Sequence, residues 1–273
     1  MCQARPVSNP EALYHRDGDA FIGTEATLGS WYENAQAGGP LLALLGHVLE
    51  DIPAAAPMSL TRLTVDIVRP VPAGERLFVE PTIVREGRRI QLIDFVIRTG
   101  DKVTTRARAL RGIDHDLREL GGRPHSSSTD VPALRLPPPS AFESVVDKPR
   151  VAAFLVLGAE LLQSPGPIDG NHAIWIRLRL PVVAGEPVRA TSRAVVGLDM
   201  VNLIGVGDGQ ITGLQPINPD VSGHLLRAPV SEWVAMTGNT YYHQATGHGM
   251  STALLSDEAG VFGLTSNSQL VGS

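Results

Sequence analysis

Residues 37–52 read AGGPLLALLGHVLEDI, and this stretch decides how the chain around it must be arranged. Leu41, Leu44, Leu45, Val48, Leu49 and Ile52 recur at intervals of three and four, the stripe of a helix with one buried face. Pro40 suits the first helical turn, where an N–H has no intrahelical partner to lose. Pro53 follows directly and stops the run. Gly38 and Gly39 leave the N–H groups at the helix start uncovered by side chains, and such a start attracts negative charge. The same residues would serve equally as a plain core helix with a glycine entry, so the flanking chain must choose.

Upstream, Ala12 to Ala26 reads as two short strands around Asp17-Gly18, a dipeptide that favours tight hairpin turns. Downstream come four strand-like runs, Arg62–Arg69, Arg76–Val84, Arg89–Thr99 and Lys102–Arg111. Leu63, Val65 and Ile67 alternate with Thr64, Asp66 and Val68, as in a sheet with one buried face. A single helix cannot cover both faces of a sheet. The expected fold is therefore α+β, a curved antiparallel sheet wrapped around the helix.

From 113 to 149 the composition shifts to breaker-rich runs such as GGRPHSSSTD and RLPPPS, which suits a linker over the surface. The second half then repeats the order of the first. Val151–Leu162 and His172–Leu180 are strand-like, Pro187–Leu203 is a helix candidate, and Gly223–Ala228, Glu232–Tyr241, Met250–Leu255 and Val261–Val271 are four further strands. The expectation is a tandem duplication, one unit over 10–112 and a second over 150–273.

Composition narrows the function classes. The 273 residues carry a formal net charge of −5 and 43% hydrophobic residues, enough for a sizeable core and without a global pull toward nucleic acid or anionic membrane. Cys2 is the only cysteine, so no disulfide forms within the chain, which fits a reducing cytoplasm. The first residues lack the apolar core of a signal peptide, and no apolar run approaches the ~20 residues a membrane helix needs. His243 and His248 have no third ligand at matching spacing, so a zinc site is not expected. GVGDG at 205–209 follows a helix and lacks the third glycine of a dinucleotide loop. GMSTA at 249–253 ends in alanine and is no nucleophile elbow. Arg85, Arg88 and Arg89 make a basic hairpin tip, the composition of a solvated face.

The layout resembles the double-hotdog acyl-CoA thioesterases, the TesB-like group, from about Leu13 to Val271. GSWYENAQAGGPLLALL (29–45) looks like the family's tryptophan, spacer and His-Gly-Gly, with Ala37 at the histidine position. WIRLRLPVVAGEPVRATSRAVVGLDMVNLIG (175–205) looks like the opening of the second hotdog, with Asp199 and Asn202 on a recurrent Asp-x-x-Asn. NPDVSGHLLRAPVSEWV (218–234) resembles the segment that holds the family's catalytic Asp, with Asp220 and Arg227 seven apart before a Glu-Trp pair. The resemblance implies hydrolysis of an acyl thioester without metal or nucleotide cofactor. It puts the catalytic Asp on Asp220 and the Ser/Thr on Thr240. The Gln position falls on Asn267, with Gln269 as the neighbouring alternative. It also makes the Gly38-Gly39 helix start the oxyanion site and the tip at Arg85, Arg88 and Arg89 a candidate contact for CoA phosphates. The rival reading is a non-catalytic protein that binds acyl-CoA or another acyl thioester. A hydratase is not favoured, because Asp220 and His224 have three residues between them where that motif needs four. Paired sheets with exposed edges suggest a homo-oligomer.

Overall fold

The computed structural model describes residues 10–116, 119, 136–146, 151–204 and 215–272. The first half contains β1 (Tyr14–Asp17), β2 (Ala20–Gly23), α1 (Gly38–Asp51), β3 (Met58–Ile67), β4 (Arg76–Glu86), β5 (Ile90–Thr99) and β6 (Lys102–Ile113). A two-residue strand β7 (Glu143–Ser144) leads to β8 (Ala159–Gln163), β9 (His172–Leu178) and α2 (Ala190–Asp199). The chain ends with β10 (Gln215–Ile217), β11 (Asp220–Leu225), β12 (Val234–Tyr242), β13 (His248–Asp257) and β14 (Gly260–Gly272).

The strands form one sheet in the order β1-β2-β4-β5-β6-β3-β11-β14-β13-β12-β9-β8-β7, with β10 added beside β14. The central join is the antiparallel β3–β11 ladder, from Asp220 opposite Asp66 to His224 opposite Arg62. Reading outward from that join, β3 is followed by β6, β5, β4, β2 and β1, while β11 is followed by β14, β13, β12, β9 and β8. The inward residues of β3, Leu63 and Val65, are buried as their alternation predicts.

α1 departs from the one-sided stripe. Residues 39–47 are all buried, together with Leu49. The sheet covers one side of the helix and α2 covers the other. A Cβ on Gly46 would stand 2.8 Å from Val195 Cγ2 and 3.0 Å from Ser192 Cα, so glycine permits the close crossing of the two helices. Ser192 Oγ donates to the Ala43 carbonyl at 3.0 Å across the same contact. The end of α1 is closed by Arg111, buried on β6, which donates to the carbonyls of Leu49 and Ile52 and to Gln91 Oε1. A cation at a helix C-terminus satisfies orphan carbonyls and complements the dipole.

Three expectations shift. The helix expected over 187–203 is cut to Ala190–Asp199, followed by a tighter 3-10 turn over Met200–Leu203. Its lead-in is held extended by side chains: Glu186 accepts from Arg16 Nε at 2.7 Å and pairs with His47 Nε2 at 2.8 Å, and Arg189 Nη1 donates to the His47 carbonyl at 2.8 Å. His47 is buried, and burial and then the neighbouring Arg189 hold its pKa below the ordinary value. The strand expected over 151–162 begins as a helical turn, Phe154–Gly158, in a run whose uniformly apolar residues give no period to read. The expected surface linker has a structured end. β7 pairs with β8, and Phe142 packs edge-on to Trp175 with ring centroids 6.4 Å apart on the outer face of the sheet. GVGDG and most of 113–149 lie outside the described residues. No helix among the described residues is long and apolar enough to cross a membrane.

Candidate active site

α1 and α2 run antiparallel, so the last residue of α2 meets the first turn of α1. That residue is Asp199. Its carboxylate lies against the helix start so closely that a Cβ on Gly38 would land on it. It accepts the Gly39 N–H and, at 2.8 Å, Asn218 Nδ2. Asn202 Nδ2 donates to Asn218 Oδ1 at 3.0 Å, so three buried polar side chains form one chain. Asn218 is brought over the site because Ile67 N, at the end of β3, donates to the Pro219 carbonyl at 2.7 Å. Burial pushes the Asp199 carboxyl up to about 6, against the opposing effects of the Asn218 and Gly39 donors. Desolvation of the charged form is the cause, and the two hydrogen bonds recover only part of it.

Asp199, Asn202 and Asn218 line a cavity of about 520 Å³. The rest of its wall is largely apolar, with Leu41, Val145, Phe154, Leu155, Leu161 and Ile174 contributing. Half-exposed Tyr32 and Leu270 also line it, as does Arg69, the only cationic side chain on the wall among the described residues. The entry loop to α1 is pinned on several sides. Ala37 N donates to the Thr27 carbonyl and Gln36 N to the Val71 carbonyl, both at 2.8 Å. Gln36 Oε1 accepts from the buried Tyr14 hydroxyl at 2.6 Å, and Gln36 Nε2 donates to the Pro72 carbonyl at 2.9 Å.

The residues expected from the resemblance fall in three places. Gly38 lines the cavity, and its N–H, at the first helical position, has no helical partner. The Gly39 N–H is already directed at Asp199. Thr240 and Asn267 are brought together, though not on the cavity wall. Thr240 Oγ1 donates to the Ile204 carbonyl at 2.8 Å and lies 2.7 Å from Ser251 Oγ. Gln269 Nε2 donates to both Ser251 Oγ at 3.1 Å and Asn267 Oδ1 at 2.9 Å, so Asn267 and Gln269 share one buried face, as strand alternation predicts. Asp220 is on neither the cavity wall nor the buried face that Asn267 and Gln269 share. Strand alternation turns Val221 into the core and Asp220 away from it, and Asp220 Oδ1 accepts the Ser268 N–H at 2.9 Å. The carboxylate beside Gly38 and Gly39 is Asp199 and not Asp220.

The basic hairpin tip is also distant. Arg85, Arg88 and Arg89 are exposed where β4 turns into β5, and Ile90 there pairs with Gly112, which pairs with Ser59 at the start of β3. The cavity is lined by Ile67 to Val71, at the other end of that strand. Eight residues at ~3.3 Å each separate the two ends by about 25 Å. Replacing all three tip arginines by alanine should leave KM for an acyl-CoA within about twofold. Arg69→Ala should raise it by up to about fivefold, the scale of one exposed ion pair. Michaelis constants measured at low and high salt check both.

The sequence carried a signal for Asp199 that its spacing motif alone did not interpret. Two helices packed antiparallel bring the end of the second to the start of the first.

Residues 27–112 match the acyl-CoA thioesterase N-terminal domain family. Among solved structures, a protein described as a thioesterase from Novosphingobium aromaticivorans superposes with a TM-score of 0.71 at 18% identity, covering 99% of this chain and 100% of that one. A hot dog fold protein from Alicyclobacillus acidocaldarius gives 0.72 at 14% identity, covering 96% and 97%. The tesB protein of Mycobacterium avium subsp. paratuberculosis gives 0.70 at 14% identity, covering 95% and 96%. No curated protein matches the sequence. Residues 27–112 are thus an acyl-CoA thioesterase N-terminal domain, and the chain shares the hotdog fold of these structures along nearly its whole length.

Proposed function

We propose that this protein hydrolyses acyl-CoA, or a related acyl thioester, with Asp199 as general base. The observation that carries this reading is a buried carboxylate with a raised pKa at the polar end of a largely apolar cavity, set against a helix start. A base poised near neutrality is the form that water activation requires. The acyl chain would occupy the apolar wall, and the thioester carbonyl would lie at Gly38. Asp199 takes a proton from water, and the water oxygen attacks the carbonyl carbon. The oxyanion that forms accepts the Gly38 N–H at the positive end of α1. When the C–S bond breaks, the thiolate recovers the proton from Asp199 and leaves as free thiol. Arg69 at the cavity wall is the candidate contact for the CoA phosphates.

In this reading the chain is a double hotdog, with units over 10–112 and 150–273 joined by 113–149, acting in the cytoplasm on fatty acyl substrates. The mirrored strand order about β3–β11 supports it. Thr240 and Asn267 then support the floor beneath the 3-10 turn after Asp199 instead of touching the water. The test is release of free thiol from acyl-CoAs of two to sixteen carbons, followed spectrophotometrically. The reading expects turnover above background for at least one chain length. Tight binding of a non-hydrolysable thioether analogue, with no thiol released from any substrate, would establish the binding-protein alternative instead.

A further inference from the structure

Asp199, Asn218 and Asn202 are all buried, and their hydrogen bonds run in one direction. An ionised carboxylate can only accept, so Asn218 must turn Nδ2 to Asp199 and present Oδ1 on its other side. Asn202 must then offer Nδ2 to that oxygen. Its own Oδ1 becomes the end of the chain, buried and without a partner among the described residues.

We infer that Asn218 and Asn202 form a polarised amide relay, in which Asn218 positions the Asp199 carboxylate and Asn202 holds Asn218. The relay reports the state of the carboxyl group. A protonated Asp199 can donate to Asn218 Oδ1, which lets both amides turn over and presents Nδ2 of Asn202 at the end of the chain. Losing Asn218 removes a charge-assisted bond from the ionised form and a weaker neutral one from the protonated form, so on balance it makes Asp199 harder to ionise. Among the described residues, the other ionisable side chains on the cavity wall are Tyr32 and Arg69. The first turn of α1, the Phe154 turn and the Ile217–Pro219 lead-in contribute none.

This inference rests on the reading of Asp199 as base, and its test separates the two. Titration of protein labelled with ¹³C at aspartate carboxyls follows Asp199 without substrate, its resonance identified by loss in Asp199→Asn. In Asn218→Leu the midpoint should rise by about one pH unit, the scale by which a hydrogen bond to a charged group exceeds one to a neutral group. The acidic limb of the kcat/KM profile should move with it. Asn202→Leu should move both in the same direction by less, and it carries the test by itself if Asn218→Leu does not fold. An unmoved midpoint in folded Asn218→Leu, or in Asn202→Leu where it stands alone, overturns the relay even if Asp199→Asn is inactive. A shifted midpoint with Asp199→Asn fully active upholds the relay and overturns the base assignment.

Discussion

Asp199→Asn loses thioester hydrolysis by about a hundred- to ten-thousandfold in kcat, the range assigned to a general base, and unfolds at a higher temperature than the parent at pH 8. The two effects have one cause. The cavity holds a carboxylate where the fold would prefer a neutral group, which raises its pKa from the ordinary 3.8 to about 6. Because the folded state binds this proton more tightly than the unfolded chain does, the associated stability is fully present below about pH 4. It is lost as pH rises through about 6. Above neutrality the ionised group costs about 3 kcal/mol relative to its protonated form. The amide keeps the shape and removes the charge, so its Tm should exceed the parent's by several degrees at pH 8 and converge with it near pH 4. Calorimetry at the two pH values and initial rates at pH 8 check both halves. Wild-type turnover in the folded variant would remove Asp199 from the reaction.

Gly38→Ala is expected to lower kcat at least about a hundredfold while the protein stays folded. The new methyl would land on the Asp199 carboxylate, so either the carboxylate or the helix start must move. Displacing a reacting group by about 1 Å costs on the order of a hundredfold. The same substitution also crowds the N–H proposed to receive the oxyanion. Gly39→Ala makes a useful contrast, since its Cβ would meet Met200 Cε and Phe154 Cε1 at 2.8 Å, both parts of the packed wall. It should disturb stability more and Asp199 less. Comparing kcat with Tm for the pair checks this. A Gly38→Ala enzyme within threefold of wild type would show that the helix start takes no part.

The local elements were legible because each depends on near neighbours. The alternation in Leu63, Val65 and Ile67, the turn at Asp17-Gly18 and the Pro40/Pro53 bracket are statements about adjacent residues, and the observed strands and α1 follow them to within a few positions. The family resemblance survives because it rests on the order of those elements. Asp220 drew notice by its seven-residue spacing to Arg227. A one-residue change of strand register turns a side chain to the opposite face, and spacing cannot report which face is used. The observed register commits Val221 inward, and Asp220 to the Ser268 N–H.

What the sequence determined by itself is the set of parts: an apolar helix with a bare glycine start, a second helix ending in Asp-x-x-Asn, and strands with one buried face. Only the tertiary structure decided what stands opposite Gly38 and Gly39. That depends on two helices some 150 residues apart crossing antiparallel at Gly46, and on β3 holding Pro219 so that Asn218 reaches over the end of α2. Local propensity carries no information about such a meeting. The raised pKa of Asp199 belongs to the same level, since desolvation is a property of the assembled cavity and not of any residue within it.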